Sequence, residues 1–97
     1  MLEVEFHEEA QEELSIAAGY YESCEAGLGE AFLQSIEAGL TKIRERPSSW
    51  GLLFDDIHRF LIVRFPYDLV YRIEADRIYI LAVMHQRRRP GYWLARR

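Results

Sequence analysis

Halfway along this sequence the spacing of the apolar residues changes period, and Pro47 stands at the change. On its N-terminal side Ala10, Leu14, Ala17, Tyr21 and Cys24 recur at the spacing of one face of a helix. Glutamates crowd the start of that stripe, where the positive end of the helix dipole favours them. Gly27 and Gly29 then break the pattern. Leu28, Phe32, Ile36, Leu40 and Ile43 form a second stripe, which has to stop near Arg46 because a proline disfavours helical geometry in the residue before it. So short a connection implies an antiparallel helical hairpin.

Beyond the proline, residues 47–51 read as loop and the period becomes two. The β-branched and aromatic runs 57–65, 69–73 and 78–84 suit strands, with turns at Pro66-Tyr67-Asp68 and Glu74-Ala75-Asp76. Turns this short imply an antiparallel meander. Its nearly continuous apolar runs imply burial on both faces, one of them under the hairpin. A short strand over residues 2–6, where Leu2, Val4 and Phe6 alternate with Glu3 and Glu5, opens the chain. The expected order is β-α-α-β-β-β, an α+β fold in one domain spanning 1–97.

Charge is distributed unevenly. Residues 1–45 hold eleven acids and two bases, residues 46–97 ten bases and five acids, which leaves a net −4. From His85 onward there are five arginines and no acid. Two readings of this tail stay open: a local contact with an anionic partner, or neutralisation of the acidic half across the fold. The lone Cys24 excludes an intrachain disulfide. It reads as a small buried helix residue, since a reactive thiol needs an electropositive setting and its neighbours include Glu22 and Glu25. No run approaches the roughly 18 apolar residues of a membrane span, and the start lacks a signal-peptide pattern. A cytoplasmic location is therefore expected. His7, His58 and His85 show no metal-ligand spacing, and no cofactor is expected.

In order and spacing, several runs carry a family likeness. They are Glu9-Ala10-Gln11-Glu12-Glu13-Leu14, Tyr20-Tyr21-Glu22, Gly29 with Phe32, and Pro47. Then come Arg64-Phe65-Pro66-Tyr67-Asp68-Leu69-Val70-Tyr71-Arg72, His85 to Arg89, and Pro90-Gly91-Tyr92-Trp93. Over essentially its whole length the chain resembles the RelE/ParE toxin superfamily. The resemblance implies a bacterial toxin of a type II toxin–antitoxin module, of the kind that stabilises plasmids, neutralised by a cognate antitoxin in a hetero-oligomer. RelE-like members cut messenger RNA on the ribosome, whereas ParE-like members inhibit DNA gyrase.

Cutting RNA through its own 2′-hydroxyl needs a proton acceptor, cations around the phosphate and a proton donor for the leaving oxygen. Where the RelE-like branch carries two lysines this sequence has Phe60 and Ile62, and Asp68 stands where that branch has an arginine. An acid there repels phosphate. Only Arg87, and loosely Trp93, keep their match. A different, YoeB-like nuclease set would draw on His85, Arg87, Arg64 and Arg59. The reading adopted is the ParE-like one, gyrase inhibition by direct binding. Its candidate target-binding residues are Arg87, Arg88, Arg89, Trp93, Arg96 and Arg97, a tryptophan among arginines having the composition of an interface hot spot. The alternatives are a ribosome-dependent mRNA endonuclease and a non-toxic structural or regulatory module. An antitoxin is expected in a groove beside the hairpin or on an open sheet edge, with an acidic segment wherever it covers the arginines.

Overall fold

His7 both ends the first strand and starts the first helix. Its N–H donates to Ile80 O at 2.9 Å, and its ring Nδ1 accepts the Glu9 N–H at 3.0 Å. In this computed structural model, described for residues 2–97, that strand is β1, Glu3–Phe6. Two helices follow, α1 (Glu8–Cys24) and α2 (Leu28–Glu45). After a short 3-10 turn, Pro47–Ser49, come β2 (Leu52–Phe54), β3 (Ile57–Leu61), β4 (Tyr67–Ile73) and β5 (Arg77–His85). The expected α+β order therefore holds, with one additional strand. The sheet order is β1-β5-β4-β3-β2; β1 runs parallel to β5 and the other pairs are antiparallel.

The hairpin between the helices closes on a carboxylate. Glu22, near the end of α1, reaches over the turn and accepts the N–H groups of Gly27 (3.0 Å) and Gly29 (3.0 Å). It thereby satisfies donors that the start of α2 leaves open, where the helix dipole also favours a negative charge. Gly27 stands at φ +89°, left-handed backbone that glycine adopts freely. Gly29 is needed for a different reason: a Cβ there would meet Ala18 O at 2.7 Å.

The stripe on α2 behaves as expected, with Phe32, Ile36, Leu40 and Ile43 buried against Phe60, Leu69, Tyr71, Ile78, Ile80 and Val83. On α1, Ala10 and Ala17 are buried and Tyr21 packs among Phe32, Phe65 and Tyr67. Cys24 corrects the expectation, being exposed. Tyr21 is the last stripe position to reach the core; one turn later α1 has ended.

The expected loop after Pro47 is held in place by the sheet. Tyr71 Oη donates to Pro47 O at 2.6 Å, and His58, stacked on the Tyr71 ring, donates from Nδ1 to Trp50 O at 2.8 Å. Arg59 N–H adds a bond to Gly51 O at 2.8 Å. These ties lay the following residues beside β3, where Leu52 pairs with His58 and Phe54 with Ile57. Three residues are too few to show a period, so β2 had no signature of its own. The next strand is shorter than its apolar run. The chain turns after Leu61, Arg64 takes φ +80°, and β4 starts at Tyr67, inside what the proline had marked as turn.

A bulge in β5 decides which side each of its residues faces. Tyr71 pairs with Ile80 but Val70 with Ala82, so Leu81 is an extra residue. Ile78, Ile80 and Val83 point to the helices, whereas Leu81, Ala82 and Met84 join Ile57 and Val70 in a second buried cluster on the other face.

Two expectations follow. Gly29→Ala forces the helices apart and lowers unfolding stability by about 2 kcal/mol, read as a lower urea midpoint at unchanged slope. Tyr71→Phe leaves Pro47 O without its donor and costs about 1–2 kcal/mol. Burial pushes the Tyr71 hydroxyl up to about 12, so the unfolded chain loses this proton first. The Tyr71 contribution is thus fully present below pH 10 and is lost as pH rises towards 12. Alkaline unfolding of the Phe variant should lack that share of the slope.

Candidate functional site

The second face of the sheet is covered by the chain's own end. Beyond β5, Gln86 N–H donates to Pro66 O (2.8 Å) and Arg88 N–H to His85 O (3.0 Å), which starts a reversal. Gly91, at φ +106°, completes it, and Leu94 N–H bonds to Gly91 O at 3.0 Å. The turn delivers Trp93 onto Ile57, Val70, Leu81 and Met84, where it is 1% exposed. Trp93 is thus core in this structure and not a surface anchor for a target. The apolar cluster on that face requires a cover, and the indole supplies it. Trp93 Nε1 is buried with no hydrogen-bond partner among the described residues.

The arginines divide into two groups. Arg96 is turned inward: its guanidinium meets Glu13 at 3.0 Å, Glu9 at 3.1 Å and Leu81 O at 3.0 Å. Arg97 lies 3.4 Å from Asp55 and over the Phe54 ring. The neutralisation reading of the tail describes Arg96, whereas Arg97 stays exposed and pairs within the basic half. Arg87 and Arg89 are exposed and make no ion pair among the described residues. Arg88 is exposed too, but its guanidinium packs 3.6 Å over the Tyr92 ring and lies 3.9 Å from Glu13. A cationic turn at 87–89 is what the tail presents outward.

The four residues of the alternative nuclease set do not converge. His85 closes β5 on the helix side, edge-on to the Tyr67 ring at 5.0 Å. Its Nδ1 accepts the Arg87 N–H at 3.0 Å, which places the proton of the neutral ring on Nε2. Arg59 projects from the opposite face, since its neighbour Phe60 belongs to the helix-side cluster. There it lies 3.7 Å from the buried Asp68, which also accepts from Gln86 Nε2 at 3.1 Å. Burial pushes the Asp68 carboxyl up, and Gln86 and Arg59 partly offset the shift. Arg64 sits in the β3–β4 turn, over the Phe65 ring.

Sequence reasoning expected a groove beside the hairpin but named none of its residues. A groove of about 200 Å³ is lined by Glu13, Ile16 and Ala17 of α1, by Tyr67, Val83 and His85 of the sheet, and by Arg88. Ile16 and Tyr20, one turn apart on α1, are exposed although apolar. The signal was present in the sequence: two large apolar residues four apart, off the core stripe. Among the described residues no helix is long and apolar enough to cross a membrane.

Known proteins place this arrangement. No curated protein matches the chain in sequence. In fold it is similar to a chain of the chromosomal ParDE toxin–antitoxin system from P. aeruginosa. The TM-score is 0.63 over 88% of this chain and 96% of that one, at 13% identity, so the likeness is one of fold. The family described as "ParE toxin of type II toxin-antitoxin system, parDE" matches residues 4–90, from β1 to the Pro90 turn. The chain belongs to the ParE toxin family of type II toxin–antitoxin systems.

Proposed function

We propose that this ParE-family chain is a bacterial, cytoplasmic toxin that inhibits DNA gyrase by direct binding, and that a cognate antitoxin neutralises it. The observation that carries the choice against RNA cleavage is the state of His85. A general base needs a free lone pair within reach of the proton it removes. The Nδ1 lone pair of His85 is taken by the Arg87 N–H. The acid in the same groove, Glu13, is likewise occupied, by Arg96 and by the Val83 N–H at 3.0 Å. Arg59 stands on the opposite face of the sheet from His85 and is paired with Asp68. What remains at the surface is a set of binding groups: the arginines at 87–89 and the apolar groove beside α1. Arginine suits such a role because its planar guanidinium recognises carboxylates and phosphates by paired bonds.

The antitoxin in this reading contributes an acidic segment with apolar anchors, laid along Ile16, Ala17 and Tyr67 with its carboxylates towards Arg87–Arg89. Covering that surface is enough to block a toxin that acts by contact.

A supercoiling assay run beside RNA mapping in a translating extract tests the proposal. Supercoiling should be inhibited and transcripts left intact. The double substitution Arg87→Ala/Arg89→Ala should weaken inhibition about tenfold, near 1.4 kcal/mol, with an unchanged circular-dichroism spectrum. Transcripts cut by the chain, with cutting lost in His85→Ala, would transfer the assignment to an endonuclease. Unimpeded growth of a bacterial host expressing the chain alone would remove both toxin readings and leave a non-toxic module.

A further inference from the structure

We infer that Glu13 of α1 is a positioning residue, which locks the C-terminal segment 86–97 onto the sheet through Arg96 and so fixes where the free arginines stand. The bond pattern is specific. β1 pairs with β5 only as far as Ile80, and the bulge follows at once. The Leu81 carbonyl and the Val83 N–H are filled by side chains: Arg96 Nη1 donates to Leu81 O, and Glu13 Oε1 accepts from Val83 N–H, each at 3.0 Å. The two side chains then pair, Arg96 Nη2 to Glu13 Oε2, again at 3.0 Å. The ion pair thus plugs the sheet edge beside the bulge and ties α1, β5 and the chain end together. Both groups are largely buried, at 11% and 17% exposure, so the pair is weakly screened.

The same lock organises the arginine turn. Two guanidinium groups approach the Tyr92 ring, Arg88 at 3.6 Å and Arg96 at 5.0 Å from its centre, and both face Glu13 Oε2, at 3.9 and 3.0 Å. Arg96, held by Glu13, thereby braces the ring on which Arg88 rests. Glu9 adds a third contact to Arg96 from the exposed side. The apolar packing of Trp93 would hold the segment down but leave its angle open.

The effect on inhibition rests on the proposed gyrase binding, whereas the lock itself does not, and two readouts separate them. Amide hydrogen exchange of the full chain, followed by mass spectrometry, reads the lock. In Glu13→Gln and Arg96→Gln, residues 92–97 should exchange at least tenfold faster while β3 and β4 keep wild-type protection. Arg96→Lys, which restores the charge but not the forked donors, should fall between. Unchanged exchange in 92–97, or equal acceleration throughout the chain, overturns the inference. Supercoiling inhibition by the same two Gln variants should drop about tenfold at full folding, with partial recovery in Arg96→Lys. Faster exchange with wild-type inhibition overturns the positioning role and leaves gyrase binding intact. A wild-type chain that does not inhibit gyrase defeats the proposed function, and the exchange result then decides the lock on its own.

Discussion

A sheet whose central strands are apolar on both faces has to be covered twice, and most of this structure follows from how that is done. The helical hairpin covers one face with the α2 stripe, from Phe32 to Ile43. On the other face residues 86–97 fold back and place one tryptophan over the second cluster. The bulge at Leu81 makes both demands fall on β5, because it turns Leu81, Ala82 and Met84 away from the helices while Val83 still faces them. Removing the large apolar area of an indole from water is worth roughly 2–3 kcal/mol or more, a substantial fraction of the stability of a domain this size. Core packing therefore brings the C-terminal segment onto this face of the sheet.

Electrostatics then sorts the charges that packing has brought together. The acidic first half and the basic end meet along α1, where Glu9 and Glu13 take Arg96. On the opposite face Asp68 is buried and answered by Arg59 and Gln86. Each pairing removes a cation from the set available to an outside partner. Among the tail arginines, Arg87 and Arg89 make no ion pair among the described residues, and Arg88 between them lines the groove beside α1. Under the proposed function, that cluster acts by contact with a partner and not by moving a proton.

The candidate site was legible only in part. The arginines were visible as a run, but which of them were free was not, because the pairs that use Arg96 and Arg97 join residues 83 and 42 positions apart. Trp93 among arginines has the composition of a contact surface and is nevertheless core, since composition says nothing about which face of a sheet lacks a cover. Ile16 and Tyr20 could have been noticed as apolar residues off the helical stripe. His85 was visible as a residue type, yet the direction of its lone pair depends on a turn that no periodicity announces.

What the sequence determined by itself is what short-range geometry decides. A 3.6-residue stripe requires a helix with one buried side, Pro47 ends the second helix, and β-branched runs between turn residues become strands. All of these survive in the structure to within a few residues. The tertiary structure decided the rest: the parallel pairing of β1 with β5, the bulge, β2, the exposure of Cys24 and the docking of the chain end. Each of these depends on contacts between residues far apart in the chain, whose energies are settled by which surfaces remain uncovered once the helices and strands have met.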